Sequence, residues 1–520
     1  MTIGPRKFPA FAPRRNLVAP TFCMLLLLVV WSFRLPRPSL PWVDPGRATT
    51  STRLAPATKP NAMMTMVGGP QPPSLPDIDL ADPAAPFVGW PLERVCNESR
   101  RVEGLVFVCD NNSGGIGNIR NYIQTCLRYA LEAGATGLTI PRIRRRDDQD
   151  LANIWTDYRP FTYMFDEEHF RRAMARHCPH IRLYDHTTDI PGVFIGEGED
   201  EERGIELITP KDFGDRSECH PWDSNRNFQR FGDVFRAWLF QNGSEADPPR
   251  PPPPSAARPR AIRFHWGVLW DWQVWHDGPE FATTFGHLLK FNDHLLYLGN
   301  KVLENMRAVA REEQKKQAKE QGKQGKHGIG AGEDGAFIGV HLRTESDAGD
   351  SWPKYEEQFD VFRQQAALAG GSFRAAYLAT GNATEAKRFA SDAATAPVPT
   401  SFATTSKSQS NTNTGGTGGI RVIGKHDLLR GEDLEALQAL TFDQQGIVDA
   451  VVLLAADRFV GTMPSSFSVY VASKRHLRTG GLYTRPWKVG AAEGDGLSYV
   501  GGRYDKYWEN WLFMWDGMWP

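Results

Sequence analysis

The residues best suited to chemistry lie in segment 336–347, where an apolar run ends in charged side chains. His341 and Arg343 close the run, and Glu345 and Asp347 follow them. Because ligands of open α/β sheets bind at the carboxyl ends of parallel strands, this pattern predicts a binding edge. The guanidinium of Arg343 offers two parallel donors, which suit a diphosphate. An Arg–Asp pair that only fixes a loop is the simpler alternative.

A glycine-rich turn is a second candidate anion site. The apolar run 105–109 leads into Gly115, Gly117 and Asn118, and an apolar pattern of helical period follows. Backbone N–H groups in such a turn, and at the start of the helix, can approach a phosphate closely. Arg120 stands where a dinucleotide-binding fingerprint has its third glycine, and no Gly-Lys-Ser/Thr follows, so the turn is neither that fingerprint nor a P-loop. A tight turn that serves packing is the alternative.

A third candidate site lies towards the carboxyl end. Segment 447–456 has the composition of a buried helix and carries Asp449. A short strand and a turn then lead to Ser465, Ser466 and Phe467, at the start of another predicted helix. Hydroxyl and amide groups at a helix N-terminus can hold phosphate oxygens together, although a simple serine cap is the alternative. Together the three sites predict two α/β domains that close on a nucleoside diphosphate.

These three blocks, in this order, resemble the GDP-fucose protein O-fucosyltransferase superfamily, in a fungal-type branch with a long amino-terminal anchor. The resemblance covers roughly residues 96–487 and is dense only in the three blocks. It implies an α/β fold of the GT-B type, with two facing Rossmann-like domains. It also implies an inverting transfer of fucose from GDP-fucose to a protein or glycan hydroxyl, with no cofactor and no metal.

The same resemblance implies roles for individual residues. Arg343 would neutralise the β-phosphate and the leaving oxygen, while His341 and Asp449 would hold GDP, with Asp449 at the guanine. The other residues expected to bind the donor are Gly115, Gly117, Asn118, Arg120, Ser465, Ser466 and Phe467.

The general base is left open by the sequence. Inversion usually requires a base that takes the proton of the acceptor hydroxyl. Some members of the family carry a Glu inside the glycine-rich loop, whereas this loop holds only Gly, Ile and Asn. Glu345 and Asp347 are the nearest carboxylates of the motif, and Asp110 precedes the loop. Transfer from another GDP-sugar such as GDP-mannose, or an inactive protein that binds nucleotide sugars, is therefore an alternative.

The segments around these blocks predict two globular domains with additions. The first Rossmann-like domain is expected over 94–300 and the second over 336–490. A helix with a charged insertion, 301–335, joins them, and a Ser/Thr/Asn/Gly-rich insertion interrupts the second domain at 391–419. The last segment, 491–520, is expected to form one helix that packs back onto the first domain.

Tryptophans form two clusters. The first consists of Trp266, Trp270, Trp272 and Trp275. The second consists of Trp508, Trp511, Trp515 and Trp519, with the spacing of one helix face. Both are expected to be core, although aromatic faces also stack on sugars.

The amino terminus predicts a membrane anchor. Segment 17–33 is apolar, 1–16 is basic, and 34–93 is rich in Pro, Ala and Thr, as in a stem. The basic flank predicts a cytosolic tail and a luminal catalytic part, in a single-pass type II protein of the Golgi or endoplasmic reticulum. A cleaved signal peptide is the alternative.

Composition excludes several classes of protein. Sixty Lys and Arg against 61 Asp and Glu give a net charge of -1, which disfavours a nucleic-acid partner. The hydrophobic fraction of 41% excludes a wholly disordered chain.

Five cysteines lie after the predicted anchor, so at most two bridges and one free thiol are expected there. Cys126 falls on an apolar helix face and is expected to be the buried free thiol.

Overall fold

The computed structural model describes most of the chain after the predicted stem. The described residues are 75–196, 202–213, 228–241, 251–320, 335–349, 352–369, 373–395, 419–479 and 496–520. The predicted cytosolic tail and signal anchor lie outside them, as do most of the stem, Cys219 and residues 396–418 of the predicted insertion. Within the described ranges, no helix combines the length and the apolar character needed to cross a bilayer.

The first domain is built on a parallel five-stranded sheet with the order β5-β2-β1-β9-β8. Its strands are β1 (Leu105–Val108), β2 (Gly137–Thr139), β5 (Arg182–Tyr184), β8 (Ile205–Ile208) and β9 (Arg260–Phe264). Two antiparallel pairs are added, β3 (Ile143–Arg144) with β4 (Tyr158–Arg159) and β6 (Phe194–Ile195) with β7 (Glu202–Arg203). Its helices are α1 (Trp90–Glu98), α2 (Ile116–Ala133), α3 (Glu167–His177), α4 (Phe228–Leu239) and α5 (Pro279–Thr284). The next helix, α6 (Asp293–Glu320), packs against the second domain, mainly against Phe442–Ala455.

The second domain repeats this plan with the strand order β12-β11-β10-β13-β14, again all parallel. Its strands are β10 (Ile338–His341), β11 (Ala375–Ala379), β12 (Arg421–Ile423), β13 (Arg458–Thr462) and β14 (Ser498–Gly501). Its helices are α7 (Tyr355–Leu368), α8 (Ala383–Thr395), α9 (Lys425–Leu428), α10 (Gly431–Gln438), α11 (Phe442–Ala455), α12 (Ser466–Arg475) and α13 (Phe513–Gly517). Short 3₁₀ turns lie at Phe161–Tyr163, Thr187–Asp189, Pro210–Phe213, Trp266–Trp270, Phe285–Leu288 and His476–Thr479.

The central strand of each sheet carries a predicted block at its carboxyl end. β1 and β10 are third in their sheets and buried on both faces, which explains their unbroken apolar sequences. The glycine-rich turn leads from β1 into α2, and Gly134 ends α2 in the left-handed conformation, with φ at 86°. A parallel sheet with polar residues at this edge is the arrangement predicted for both blocks, and the α/β class is confirmed.

The globular part begins earlier than the predicted boundary at residue 94. Asp79 pairs with Arg478 at 2.9 Å, and the Leu80 carbonyl accepts a hydrogen bond from Lys474 at 3.1 Å. Ala81 is fully buried. The Pro- and Ala-rich composition of this stretch conceals these few anchoring residues, because none of them belongs to a periodic pattern.

The cysteine prediction is wrong for Cys126. Cys126 is bonded to Cys109, and Cys96 is bonded to Cys178. Helical position correctly placed Cys126 on the buried face of α2. However, that face covers β1, and Cys109 is the residue that follows the strand, so burial brings the two sulfurs together.

The carboxyl-terminal tryptophans do not share one helix. Only α13 is helical there, and Trp511 before it has a positive φ of 60°. Because the chain changes direction at that residue, spacing of three and four no longer puts the side chains on one face. Trp519 alone of the four is fully buried, against Phe281 and Phe285 of the first domain.

Candidate active site

A cleft of about 1200 Å³ is lined by the carboxyl ends of strands from both sheets. The segments that follow β1, β10, β11, β12 and β13 all contribute to its walls. The predicted residues that line it are Gly115, Gly117, Asn118, His341, Arg343, Glu345, Asp347, Asp449, Ser465, Ser466 and Phe467. Folding therefore brings the three blocks, which are more than 100 residues apart in sequence, to one place.

Arg343 is held in a fixed orientation by two carboxylates. Its Nη1 lies 2.6 Å from Glu345 Oε2, and its Nη2 lies 2.7 Å from Asp347 Oδ1. The guanidinium also stacks on Trp352, 5.1 Å from the ring centroid. Burial acts to lower the pKa of Arg343, but the two carboxylates outweigh it and raise the pKa. The cleft thus contains a permanent, oriented positive charge, which can stabilise negative charge on a ligand.

Glu345 serves to position Arg343 and is unsuited to be the base. Its Oε1 accepts hydrogen bonds from the Gly381 N–H at 2.6 Å and from Thr380 Oγ1 at 3.2 Å. Its Oε2 accepts from Arg343 and from the Thr344 N–H. Burial acts to raise the pKa of Glu345, but Arg343 and these donors lower it overall. Four donors hold this carboxylate in its ionised form, so it has little tendency to take a proton.

His341 is neutral, and its ring is held in a fixed orientation at the wall of the cleft. Burial lowers its pKa to about 4. Its Nδ1 lies 2.8 Å from Ser468 Oγ, and that oxygen accepts a hydrogen bond from the Thr462 N–H. The hydroxyl of Ser468 therefore links the backbone of Thr462 to the ring and fixes the orientation of His341. The ring packs on Phe467, with centroids 4.7 Å apart.

The helices α2 and α12 begin at the same part of the cleft. A Cβ atom at Gly117 would lie 2.9 Å from both the carbonyl carbon and Oγ of Ser466, so only glycine allows this approach. Ser465 caps α12 by accepting a hydrogen bond from the Ser468 N–H, as the simpler interpretation predicts. Two helix N-termini thus direct their free N–H groups and positive dipole ends to one region, which favours an anion.

Asp449 forms a buried ion pair that the sequence did not predict. Its Oδ2 lies 2.7 Å from Lys425 Nζ, and its Oδ1 accepts a hydrogen bond of 2.5 Å from Tyr377. Both Asp449 and Lys425 line the cleft. Lys425 follows β12, so its position at a strand end was a usable signal, but the low-complexity insertion just before β12 hid that strand.

A second cluster of charges joins the two domains across the cleft. Arg146 of the first domain places Nη1 2.8 Å from Asp347 Oδ2 and Nε 3.6 Å from Asp443 Oδ1. Asp148 accepts a hydrogen bond of 2.9 Å from the Phe442 N–H at the start of α11. Burial raises the pKa of Asp443 to about 7, with Asp148 and Asp347 adding to the shift and Arg146 opposing it. No sequence motif marks Arg146 or Asp443.

Arg120 is a structural residue and does not line the cleft, so its predicted role at the donor is corrected. It is 3% exposed and donates hydrogen bonds to the carbonyls of Trp519, Pro520 and Gly286 at 2.7 to 2.9 Å. Two residues along a helix differ by about 200° in direction, so Arg120 faces away when Asn118 faces the cleft.

Asp110 is likewise excluded as a base in the cleft. It is 1% exposed and lies 2.7 Å from both Arg142 and Arg263. It is absent from the residues that line the cleft. This ion cluster fixes the end of β1, from which the glycine-rich turn departs.

The tryptophans divide between core and cleft. Trp272 is fully buried, as expected of core, with the Arg128 guanidinium 4.1 Å from its ring centroid. Trp266 and Trp270 instead line the cleft, together with Trp511, which is 46% exposed. The prediction of core thus fails for the two tryptophans that precede Trp272.

No group of three or more metal-binding side chains occurs within the described part of the chain. The cationic and N–H groups above are instead the features of the cleft that can hold an anion. Fold and cleft together define a two-domain α/β protein whose cleft, where the two sheets meet, has groups suited to an anion.

The chain belongs to the GDP-fucose protein O-fucosyltransferase family, whose model matches residues 105–478, more than half of the chain. This confirms the resemblance and the predicted class of enzyme, a fucosyltransferase. No curated protein sequence is significantly similar to the chain.

The solved structures that are similar to this chain have low sequence identity and low TM-scores. A structure of POFUT1 in complex with GDP-fucose is 13% identical, with 78% of this chain and 100% of that chain covered and a TM-score of 0.37. A structure of POFUT1 with GDP is 14% identical, with 78% and 100% covered and a TM-score of 0.36. A variant of Arabidopsis thaliana FUT1 in complex with GDP is 11% identical, with 74% and 72% covered and a TM-score of 0.33.

Proposed function

We propose that the protein transfers fucose from GDP-fucose to a hydroxyl group of a protein or glycan, with inversion at the anomeric carbon and without a metal. The single observation that carries this proposal is the orientation of Arg343 in the cleft. Two carboxylates fix its guanidinium beside the residues that start α12, within a site that also contains the start of α2. These are groups that a diphosphate requires for neutralisation.

Several groups of the cleft can stabilise the charge that develops on the leaving group. As the bond between the sugar and the β-phosphate breaks, negative charge grows on the phosphate oxygens. Arg343 is already oriented by Glu345 and Asp347, so it can stabilise that charge without a further cost of reorganisation. His341 lines the same site, and the N–H groups of Ser466 and Phe467 at the start of α12 supply further donors.

The pair of Asp449 and Lys425 suits a guanine base. A carboxylate accepts from the N1–H and N2–H₂ groups of guanine, and an ammonium donates to its O6. Adenine presents an amino group in place of O6, which the ammonium would oppose. Tyr377 also holds Asp449, because its hydroxyl donates to one carboxylate oxygen while Lys425 pairs with the other. We therefore assign this end of the cleft to the base of GDP.

Two features support a luminal site anchored to a membrane. Cys96–Cys178 and Cys109–Cys126 are disulfides, which persist in oxidising compartments. The apolar segment 17–33 with its basic flank supplies a signal anchor of the type II orientation. We propose the membrane of the Golgi or endoplasmic reticulum as the location.

The test measures GDP release from GDP-fucose and from GDP-mannose, with the full chain and with its Arg343→Ala variant. We expect release from GDP-fucose to exceed that from GDP-mannose, and to fall by about 10² to 10³ in the variant because a group that stabilises the transition state is lost. Arg172→Ala is the matched control, since that side chain is 63% exposed on α3. Full activity of a folded Arg343→Ala protein would contradict the proposal. Faster GDP release from GDP-mannose than from GDP-fucose would identify GDP-mannose as the donor.

A further inference from the structure

The carboxyl group of Asp443 is buried in the cleft with one oxygen free of hydrogen bonds. Asp443 is the second residue of α11 and is 4% exposed, yet it lines the cleft. The backbone N–H of Arg146 donates to the carboxyl group, whereas Oδ1 has no hydrogen-bond partner among the described residues. Such an oxygen is costly to bury, so a role towards a ligand is a reason for it to be there.

Asp443 faces the glycine-rich turn of the opposite domain. A Cβ atom placed on Gly115 would lie 4.0 Å from Asp443 Oδ1 and 3.9 Å from Arg146 Nη2. The space above Gly115 is therefore open and is bounded by this carboxylate. A continuous set of contacts leads from there to Arg343, because Arg146 contacts Asp347 and Asp347 contacts Arg343. The free oxygen and the leaving-group arginine thus belong to one cluster.

The other carboxylates discussed above are already committed. Both oxygens of Glu345 accept two hydrogen bonds each, and each oxygen of Asp347 lies within 2.8 Å of an arginine nitrogen. Asp449 is held by Lys425 and Tyr377. The ion-pair partner of Asp443 Oδ1, Arg146 Nε, lies 3.6 Å away, which is beyond hydrogen-bond distance, so among these cleft carboxylates Asp443 retains an oxygen that can receive a proton from a substrate.

We propose that Asp443 is the general base of the transfer, with its Oδ1 taking the proton of the acceptor hydroxyl as that oxygen attacks the anomeric carbon. The bond between this carbon and the β-phosphate oxygen breaks, and its electron pair leaves with GDP. The proton on Asp443 passes to solvent after the product departs. This inference rests on the proposed function and adds the group that the sequence left open.

The electrostatic surroundings suit that role. The pKa of Asp443 is raised to about 7, mainly by burial and further by Asp148 and Asp347, against the opposing effect of Arg146 and its backbone N–H. A base whose pKa lies near the working pH combines a large ionised fraction with a strong tendency to take a proton. These facing groups come from the first domain, through Arg146 and Asp148, and from the loop after β10, through Asp347.

The test follows GDP release from GDP-fucose with water as the acceptor, from pH 5 to 9, in the full chain. We expect the wild-type rate to fall tenfold per pH unit below about pH 7. Asp443→Asn should lower the plateau rate by about 10² to 10⁴ and abolish this acid limb, because the titrating base is gone. Glu432→Gln, an exposed carboxylate of the neighbouring α10, is the matched control and should keep the wild-type profile.

The outcomes separate this proposal from the proposed function. GDP affinity, measured by titration, should be within about threefold of wild type in Asp443→Asn. If the wild type releases GDP, and Asp443→Asn keeps either the wild-type rate or the wild-type acid limb, only the assignment of the base is overturned. Absence of release by the folded wild-type protein would overturn both this proposal and the transfer from GDP-fucose.

Discussion

Replacing Asp443 by Asn should make the protein more stable at neutral and alkaline pH while it becomes less active. An aspartate with an ordinary pKa of 3.8 in the unfolded chain and about 7 in the folded chain binds its proton more tightly when folded. Between these values the folded state carries the extra proton, so its stability falls as the pH rises. Asn carries no charge at any pH and avoids this loss.

The magnitude follows from the shift. A difference of about 3 pKa units corresponds to about 4 kcal/mol once the pH exceeds the folded-state pKa. At pH 5 only about a third of this difference is in effect, because that pH lies closer to the unfolded-state pKa. The advantage of Asp443→Asn should therefore grow by about 2 to 3 kcal/mol between pH 5 and pH 8.5. For a large domain this is roughly 5 °C in Tm.

The assay is thermal unfolding of wild type, Asp443→Asn and Glu432→Gln at half-unit steps of pH. The quantity of interest is the difference in Tm from wild type at each pH, because other titrating groups cancel in that difference. Asp443→Asn should show a positive difference that rises up to about pH 7 and then levels off. The difference in Tm between Glu432→Gln and wild type should be the same at every pH.

A difference that is independent of pH would refute the account of Asp443 as a buried carboxyl with a raised pKa. A lower Tm of Asp443→Asn at pH 8.5 would refute it as well, since the ionised carboxylate would then be stabilising through Arg146. Either result would also weaken the case for Asp443 as a base, because an aspartate that is ionised at all working pH values is a poor proton acceptor.

Two further predictions concern residues whose sequence-based assignments changed. Arg120→Met should lower the free energy of unfolding by about 3 to 5 kcal/mol, because three buried carbonyls lose their donor. The GDP affinity of the folded variant, measured by calorimetry, should stay unchanged. A weaker GDP affinity at normal stability would show that Arg120 does act at the donor. Cys126→Ser should cost about 3 kcal/mol, as expected for a bridge across 17 residues, and peptide mapping of non-reduced wild type should show Cys109 joined to Cys126. Free Cys126 in that map would contradict the bridge.

The sequence predicted the parts of the site that depend on strand ends and helix starts. His341 ends a buried parallel strand, Arg343 follows it and Ser465 caps a helix, so composition and order alone located them. The apolar pattern of helical period after the glycine-rich turn also predicted α2. In these cases the local pattern determines the local structure, and parallel sheets then bring the strand ends together.

The parts that the sequence missed depend on contacts between distant segments. Arg146 and Asp443 lie in stretches without a motif, and they contact each other only because the two domains meet at the cleft. Arg120 was assigned by its place in a motif, although its direction around the helix turns it towards the carboxyl terminus. The four carboxyl-terminal tryptophans have a helical spacing, but the turn at Trp511 overrides it.

The central claim, that the cleft holds the diphosphate of a GDP-sugar against Arg343, is tested most directly by calorimetric titration of the full chain with GDP. The account predicts saturable binding by wild type at a single site. It predicts a loss of affinity of at least tenfold in Arg343→Ala, as for a charged hydrogen-bonding partner worth about 1.5 kcal/mol or more. No binding by well-folded wild type, or equal affinity in the variant, would contradict it.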